Sequence, residues 1–224
     1  SGCRHSRQSV RGRTSSVTVM GRLAWCGATR ARLMFCSRIA VMELVRPTAH
    51  HLVSYVDALE RGWSPDNIRP RPAAIENLDY IARDAEGFLA SLEDREARGG
   101  PITLPDGTVR PRLPGYVRWM WDGEFCGSVG FRWQTGTSAL PPWCLGHIGY
   151  TVVPWKTRRG YGTEAVRQLL PHARREGLDY LEVTTDTTNT ASQKIITTNG
   201  GVLVERFVHP DYGDVERLRY RIPL

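Results

Sequence analysis

The sequence lacks the long apolar segment that a membrane-spanning helix requires. Such a helix needs about 20 consecutive apolar residues, and charged residues or glycines interrupt every candidate run in the 224 residues. A hydrophobic content of 41% is nevertheless enough to build a buried core. The sequence therefore predicts a soluble globular protein, of one domain or two small ones, that does not bind membranes.

Cysteine is scarce in most of the chain. Of the five cysteines, three lie within the first 36 residues, which leaves only Cys126 and Cys144 in the remainder. Two cysteines so far apart form neither a disulfide framework nor a metal-ligand pattern. We therefore expect a cytoplasmic protein without a metal ion.

Acidic residues and lysines are absent from residues 1–41, which contain eight arginines. The whole chain has 30 basic and 23 acidic residues, so 22 basic residues face all 23 acidic ones from Met42 onward. A body with balanced charge does not create the positive field that attracts a polyanion. Nucleic-acid binding is therefore not expected, except through residues 1–41.

The sequence divides into an Arg-rich leader, residues 1–41, and a folded domain, residues 42–224. Three interpretations of the leader stay open. The Ser-Gly start resembles a cloning scar, and Met42 stands where a start codon would be expected, so the leader could be an over-long gene start. It could also be a targeting or nucleic-acid-binding arm, or a structural extension.

Hydrophobic periodicity predicts alternating strands and helices from Met42 onward. Thr48 is a suitable N-cap, while Asp106-Gly107, Asp122-Gly123 and Asp211–Asp214 are typical of turns between strands. Gly87 is a possible break in the second helix. The predicted strands are Met42–Pro47, Tyr116–Trp121, Glu124–Trp133, His147–Val153, Tyr180–Thr185, Val202–Val208 and Arg217–Ile222, and the predicted helices are Thr48–Gly62, Ala73–Ala97, Gly160–Arg175 and Thr190–Asn199.

The junction between the fourth predicted strand and the third predicted helix carries the clearest chemical signal. A helix N-terminus presents unpaired N–H groups and a positive dipole, and glycine lets the backbone approach a phosphate closely. Gly160 and Gly162 provide that approach, while Arg158 and Arg159 add positive charge. Because Ala165 stands where a Rossmann motif needs glycine and no Gly-Lys-Ser/Thr follows, the dinucleotide and P-loop interpretations lose support. An ordinary tight turn stays an alternative.

This junction resembles the pyrophosphate loop of the GNAT superfamily of N-acetyltransferases, which has the form Gln/Arg-x-x-Gly-x-Gly/Ala. The resemblance extends over residues 42–224, because the predicted order of elements is that of the superfamily. Gly146–Tyr150 followed by Pro154 is similar to its fourth strand, and Asn189–Ser192 to the start of its last helix. The resemblance implies an α/β (α+β) GNAT fold, with a mixed, mostly antiparallel sheet of about seven strands flanked by four helices and splayed between strands 4 and 5.

The resemblance also implies an activity, the transfer of an acetyl group from acetyl-CoA to a primary amine of a small molecule or peptide, without a metal. The thioester would lie between the splayed strands, where a backbone group near Val152 or Val153 polarises its carbonyl. The residues expected to hold acetyl-CoA are Val152, Val153, Arg158, Arg159, Gly160, Tyr161, Gly162, Thr163, Asn189 and Ser192.

Two positions depart from the superfamily pattern. Thr157 stands where Gln or Arg is usual, so the charge must come from Arg158, Arg159 or Lys156. Ile196 stands where many members have a tyrosine that protonates the leaving thiolate. The missing tyrosine keeps a second interpretation open, a non-catalytic acyl-CoA-binding sensor or interaction module.

Candidates for the general base are His147, Glu182 and Asp186. An unperturbed imidazole titrates near neutrality, and the two carboxylates share one face of the next strand. A histidine near a strand start also commonly has a structural role, and an ordered water is a further candidate base. Tyr150 and Tyr220 are further candidates, or core residues.

Tryptophans could line the pocket for the acceptor amine. Those on strands are more typical of a sheet core, so Trp63 and Trp143, which lie in predicted loops, are the pocket candidates. A homodimer formed through the final strands is also possible.

Overall fold

The computed structural model describes residues 41–104, 106–209 and 214–224. Residues 1–40 of the predicted leader and residues 211–213 of the predicted final turn lie outside the described residues. None of the helices in the described part of the chain has the length and apolarity needed to cross a membrane.

Most of the predicted elements are present, with ends that differ by a few residues. Thr48 is the N-cap of the first helix, in a capping box with His51. The helices are α1 (Ala49–Glu60), α2 (Pro70–Arg83), α3 (Ala85–Ser91), α4 (Tyr161–Arg175) and α5 (Thr190–Thr198), and the strands are β1 (Glu43–Val45), β2 (Glu93–Asp94), β3 (Ile102–Thr103), β4 (Val109–Arg110), β5 (Gly115–Trp121), β6 (Phe125–Arg132), β7 (Ile148–Val152), β8 (Tyr180–Asp186), β9 (Val202–Val208) and β10 (Glu216–Pro223).

The second predicted helix is divided in the structure. The sequence predicts one helix over Ala73–Ala97 with a possible break at Gly87, whereas α2 ends at Arg83, α3 spans Ala85–Ser91 and the strand β2 begins at Glu93. Asp84 separates the two helices because its side chain accepts a hydrogen bond from the backbone N–H of Gly87 (2.8 Å), which is an N-cap contact. The described residues therefore contain five α-helices instead of the predicted four.

The strands form two main sheets in which all neighbours are antiparallel. The first has the order β1-β5-β6-β7, with β2 also pairing with β5, and the second has the order β8-β10-β9. The short strands β3 and β4 pair around the predicted Asp106-Gly107 turn. Within the second sheet, β9 is an edge strand whose side chains are mostly exposed.

The two main sheets meet at β7 and β8, which are not paired as a ladder in the described residues. They touch where the backbone N–H of His147 donates to the carbonyl of Glu182 (2.8 Å). Beyond that contact, no ladder pairing joins the facing edges of β7 and β8 in the described residues. The predicted splay between the fourth and fifth of seven main strands is therefore confirmed.

Helices cover both faces of the first sheet because its strands alternate apolar side chains. On one face, Leu169 of α4 packs in a core cluster with Met120 and Val129. On the other face, Tyr55 of α1 stacks on Trp119, with ring centroids 4.3 Å apart. This packing fixes the N-terminus of α4 at the end of β7, where the two sheets separate.

Candidate functional site

Residues 158–163, hereafter the 158–163 loop, comprise the strained turn that precedes α4 and the first three residues of that helix. Arg158 has a φ of +62° and Gly160 a φ of +80°. Glycine adopts this left-handed conformation freely, but a residue with a side chain adopts it at a cost of about 1 kcal/mol or more. Such strain in an exposed turn is most common at sites that bind ligands.

The start of α4 offers unpaired hydrogen-bond donors. Gly160 is the N-cap residue, and no side chain caps the helix. The N–H groups of Tyr161, Gly162 and Thr163 therefore have no partner within the helix, and the macrodipole adds positive potential there. A left-handed turn followed by unpaired N–H groups at a helix start is of the kind that binds anions.

Charge at this loop comes from two arginines and not from the preceding lysine. Arg158 and Arg159 are exposed, and neither forms an ion pair within the described residues. Lys156 is only 6% exposed, and its Nζ donates to Oδ1 of Asp122 (2.6 Å). The interpretation in which Lys156 supplies charge to a ligand is therefore wrong, because its ammonium group is already paired inside the protein.

Two of the glycine-motif residues also have packing roles. A Cβ atom on Gly162 would lie 2.7 Å from Cδ1 of Ile195, so this glycine lets α4 and α5 pack closely. The side chain of Tyr161 turns inward, and its hydroxyl donates to Oδ2 of Asp122 (2.5 Å). Tyr161 therefore presents its backbone to a ligand, with its hydroxyl held by Asp122.

Of the two residues predicted to contact the ligand through their backbone, Val152 and Val153, only Val152 has free backbone groups on the open edge of β7. The N–H of Val153 donates to the carbonyl of Cys126 (2.9 Å) and is not free. Because antiparallel pairing alternates, Val152, which lies opposite Gly127, turns its N–H and C=O away from β6 and toward the splay. The hydroxyl of Thr151 beside it is buried without a hydrogen-bond partner in the described residues.

The start of α5 lies close to β7. Asn189 is its N-cap, and its side chain accepts from the N–H of Ser192 (3.0 Å). The hydroxyl of Ser192 is hydrogen-bonded to the hydroxyl of Tyr150 (2.8 Å). Two hydroxyl groups thus connect β7 with the helix that follows β8, whereas Ile196 is fully buried in the core.

His147 has the geometry of a structural residue. It is fully buried, and its Nδ1 accepts from the backbone N–H of Glu182 (2.8 Å). The neutral ring therefore carries its proton on Nε2 and has no free lone pair with which to take a proton from an amine. Burial lowers the pKa of His147 to about 4. These contacts indicate a brace between β7 and β8 instead of the predicted general base.

The carboxylates predicted as alternative bases are both paired with arginines of β10. Glu182, which is 7% exposed, contacts Nε of Arg219 and Nε of Arg221 at 3.2 Å each. Asp186 contacts Nη1 of Arg217 at 2.8 Å, and about half of its side chain is exposed. The structure thus brings both acids to one sheet face, where their charges are balanced.

The two tryptophans predicted to line a pocket differ in position. Trp63 is 4% exposed and packs against Tyr55 and Phe125 in the core below α1. Its predicted place in an open pocket is therefore wrong. Trp143 is half-buried and lines a cavity of about 250 Å³ at the ends of β5 and β6, together with Arg132.

The sequence patterns did not indicate a larger groove, of about 440 Å³, between α1 and the turn that joins β5 to β6. Its walls include Trp121 and Trp155, and the guanidinium of Arg61 lies 3.6 Å from the ring centroid of Trp155. The position of Trp155, just before the 158–163 loop, was an available signal, but alternating aromatics favoured a core assignment.

In the described part of the chain, no three His, Cys, Asp or Glu residues are grouped as metal ligands.

Comparisons with known proteins show the family and support the fold. Residues 77–202, more than half of the chain, match the family model described as an acetyltransferase (GNAT) domain. The fold is similar to that of the microcin C7 self-immunity acetyltransferase MccE in complex with acetyl-CoA and AMP, with a TM-score of 0.53, 11% identity and coverage of 82% of this chain and 92% of that one. It is also similar to RimL, the ribosomal L7/L12 alpha-N-protein acetyltransferase in complex with coenzyme A, with a TM-score of 0.53, 14% identity and coverage of 82% and 94%. No curated protein matches the sequence.

Proposed function

The chain belongs to the GNAT acetyltransferase family, and from that premise we propose that it transfers the acetyl group of acetyl-CoA to a primary amine of a small molecule or peptide. The observation that carries the proposal is the 158–163 loop. Its uncapped helix start, its left-handed turn and two exposed arginines lie at the point where the ladder pairing between the two main sheets is absent. This arrangement suits a pyrophosphate whose attached chain enters the splay.

The residues that would hold acetyl-CoA fit its parts. The N–H groups of residues 161–163 and the guanidinium groups of Arg158 and Arg159 would bind the pyrophosphate. The unpaired backbone of Val152 would pair with the amides of the pantetheine arm. Asn189 and Ser192, at the start of α5, would lie on the other side of the splay.

Acetyl-CoA supplies a thioester, and the chain supplies groups suited to its reaction with an amine. The N–H of Val152 would donate to the carbonyl oxygen as negative charge develops on it. The hydroxyls of Tyr150 and Ser192 are the proton-bearing side chains that join β7 to α5, so we assign protonation of the leaving thiolate to this pair. Burial raises the pKa of Tyr150, which keeps its hydroxyl protonated at neutral pH.

A water molecule would take the proton from the attacking amine. Glu182 and Asp186 are already paired with arginines, and the acceptor lone pair of His147 is used by the backbone. Holding the amine beside the thioester supplies much of the rate enhancement without a side-chain base.

The acceptor would approach on the face of β7 opposite α4. The cavity lined by Trp143, at the ends of β5 and β6, has space for a small molecule or for the end of a peptide. Its aromatic wall and its arginines would hold an amine that carries further polar groups.

The proposal is tested by mixing the protein with acetyl-CoA and a panel of small-molecule and peptide amines, while free thiol release is followed. Release that requires an amine, with the acetylated amine identified by mass spectrometry, is the expected result. A folded protein that neither binds acetyl-CoA nor releases thiol with any amine would contradict the proposal. Tight acetyl-CoA binding without turnover would instead support the second function, a non-catalytic acyl-CoA sensor, which the buried Ile196 favours.

A further inference from the structure

A single carboxylate in the turn between β5 and β6 holds the residues on both sides of the strained turn, residues 157–160. Oδ1 of Asp122 accepts from Nζ of Lys156 (2.6 Å), just before the loop, and Oδ2 accepts from the hydroxyl of Tyr161 (2.5 Å), within it. Glu124 of the same turn also contacts Nζ of Lys156 (3.1 Å). These contacts link segments more than 30 residues apart.

The Lys156–Asp122 pair is buried and charged. The side chains are 7% and 10% exposed. Burial alone would raise the pKa of Asp122, but hydrogen bonds from Lys156 and Tyr161 outweigh it and lower the pKa to about 2. A buried ion pair commonly adds no stability over an apolar pair of similar volume. What the Lys156–Asp122 pair does contribute is a fixed position, relative to each other, of the two chain segments that contain these residues.

The loop between these contacts has few other restraints. Residues 157–160 are exposed, and Arg158 is held in the unfavourable left-handed region. The hydroxyl of Thr157 donates to the carbonyl of Pro154 (3.0 Å), and Nδ2 of Asn199 donates to the carbonyl of Thr163 (3.2 Å). The strained turn therefore depends on the anchoring of its two ends.

We propose that Asp122, Lys156 and Tyr161 are positioning residues that hold the 158–163 loop in its anion-binding shape and thereby set the affinity for acetyl-CoA. The inference rests on the proposed function. None of the three side chains contacts the ligand in this account, because each is already bonded to another. The turn between β5 and β6 thus affects the acetyl-CoA affinity of a loop that is remote from it in the sequence.

The test removes the charges but keeps the volume. In the D122L/K156M variant, we expect the dissociation constant for acetyl-CoA, measured by calorimetry, to rise about tenfold, with little change in thermal stability. The KM for acetyl-CoA should rise in parallel while kcat at saturation stays the same, because the lost interaction is far from the thioester. Tyr161→Phe, which removes the hydroxyl that donates to Asp122 and also contacts Arg159, should raise the dissociation constant about threefold.

The control is E93L/R118M, which removes a largely buried ion-pair cluster away from the loop, in which Glu93 also contacts Arg46 and Arg95. Glu93 and Arg118 are 3.3 Å apart, with side chains 18% and 10% exposed. This variant should bind acetyl-CoA as tightly as the wild type.

A folded D122L/K156M variant with wild-type affinity would overturn the inference, as would equal losses in both double variants. If D122L/K156M does not fold, Tyr161→Phe decides: weaker binding supports the inference and unchanged binding overturns it. A folded wild-type protein that does not bind acetyl-CoA would overturn the proposed function, and this inference with it.

Discussion

The 158–163 loop and the charged face of β8, formed by Glu182 and Asp186, hold their charges in opposite ways. Arg158 and Arg159 are exposed and form no ion pair within the described residues, beside a helix start that no side chain caps. Both carboxylates, in contrast, are bound by arginines of β10. Charge left unsatisfied by the protein indicates where a ligand binds, whereas charge that is already balanced indicates structure.

The largest effect that tests this contrast is expected at the loop. The R158A/R159A variant should lose about 3 kcal/mol of acetyl-CoA binding, roughly a hundredfold in the dissociation constant measured by calorimetry. R174A/R175A is the control, because it removes two exposed charges from the other end of α4. Equal affinities for the two variants would contradict the assignment of the loop.

A second effect concerns His147, which braces β7 against β8 at the point where the two strands touch. Burial lowers the pKa of His147 to about 4, below its usual 6.5, so the unfolded chain takes up a proton more readily as the pH falls. Stability from this residue is complete above pH 6.5 and is lost toward pH 4, by up to about 3 kcal/mol. Urea unfolding at a series of pH values should show this loss in the wild type, and a smaller one in His147→Asn. Identical pH dependence in both proteins would contradict the buried, neutral histidine.

Variants of the same residue, His147, distinguish a structural role from a catalytic one. His147→Ala should cost about 1–3 kcal/mol of unfolding free energy, because the N–H of Glu182 loses its buried acceptor. His147→Asn retains an acceptor and should recover most of that stability. Both variants should keep a kcat within about tenfold of the wild type, since a general base contributes 10²–10⁴-fold. A loss of that size in His147→Asn, with the fold intact, would restore the histidine as a base.

The smallest effect is expected on the charged face of β8. Glu182→Gln and Asp186→Asn should each lower kcat by less than about tenfold, with the pH profile of kcat unchanged, because neither group is the base in this account. A hundredfold loss in one variant, with the loss of one limb of the pH profile, would identify that carboxylate as the base and break the contrast.

The part of the site that depends on neighbouring residues was predictable from the sequence. The end of β7, the glycines and the arginines of the 158–163 loop are contiguous, and the geometry that we propose binds the pyrophosphate comes from their backbone. The N-cap at Thr48 was predictable for the same reason, since a cap is a local interaction.

The remainder depends on tertiary contacts that no local pattern contains. From the sequence alone, Lys156 is interpreted as a cation in a loop, because its partner Asp122 lies 34 residues earlier in the chain. From the sequence alone, Trp63 is interpreted as an aromatic residue in a loop, because its burial depends on the packing of α1 on β6. Even the break between α2 and α3 was placed at Gly87, where a glycine was expected to end the helix, although Asp84 ends it by capping the next one.

The most direct test of the central claim, that acetyl-CoA binds at the 158–163 loop and the open edge of β7, is amide hydrogen exchange with and without saturating acetyl-CoA. The account predicts increased protection at residues 150–153 and 158–164, with little change in α2 and α3. Protection confined to other segments, or none in a protein that binds acetyl-CoA, would contradict it.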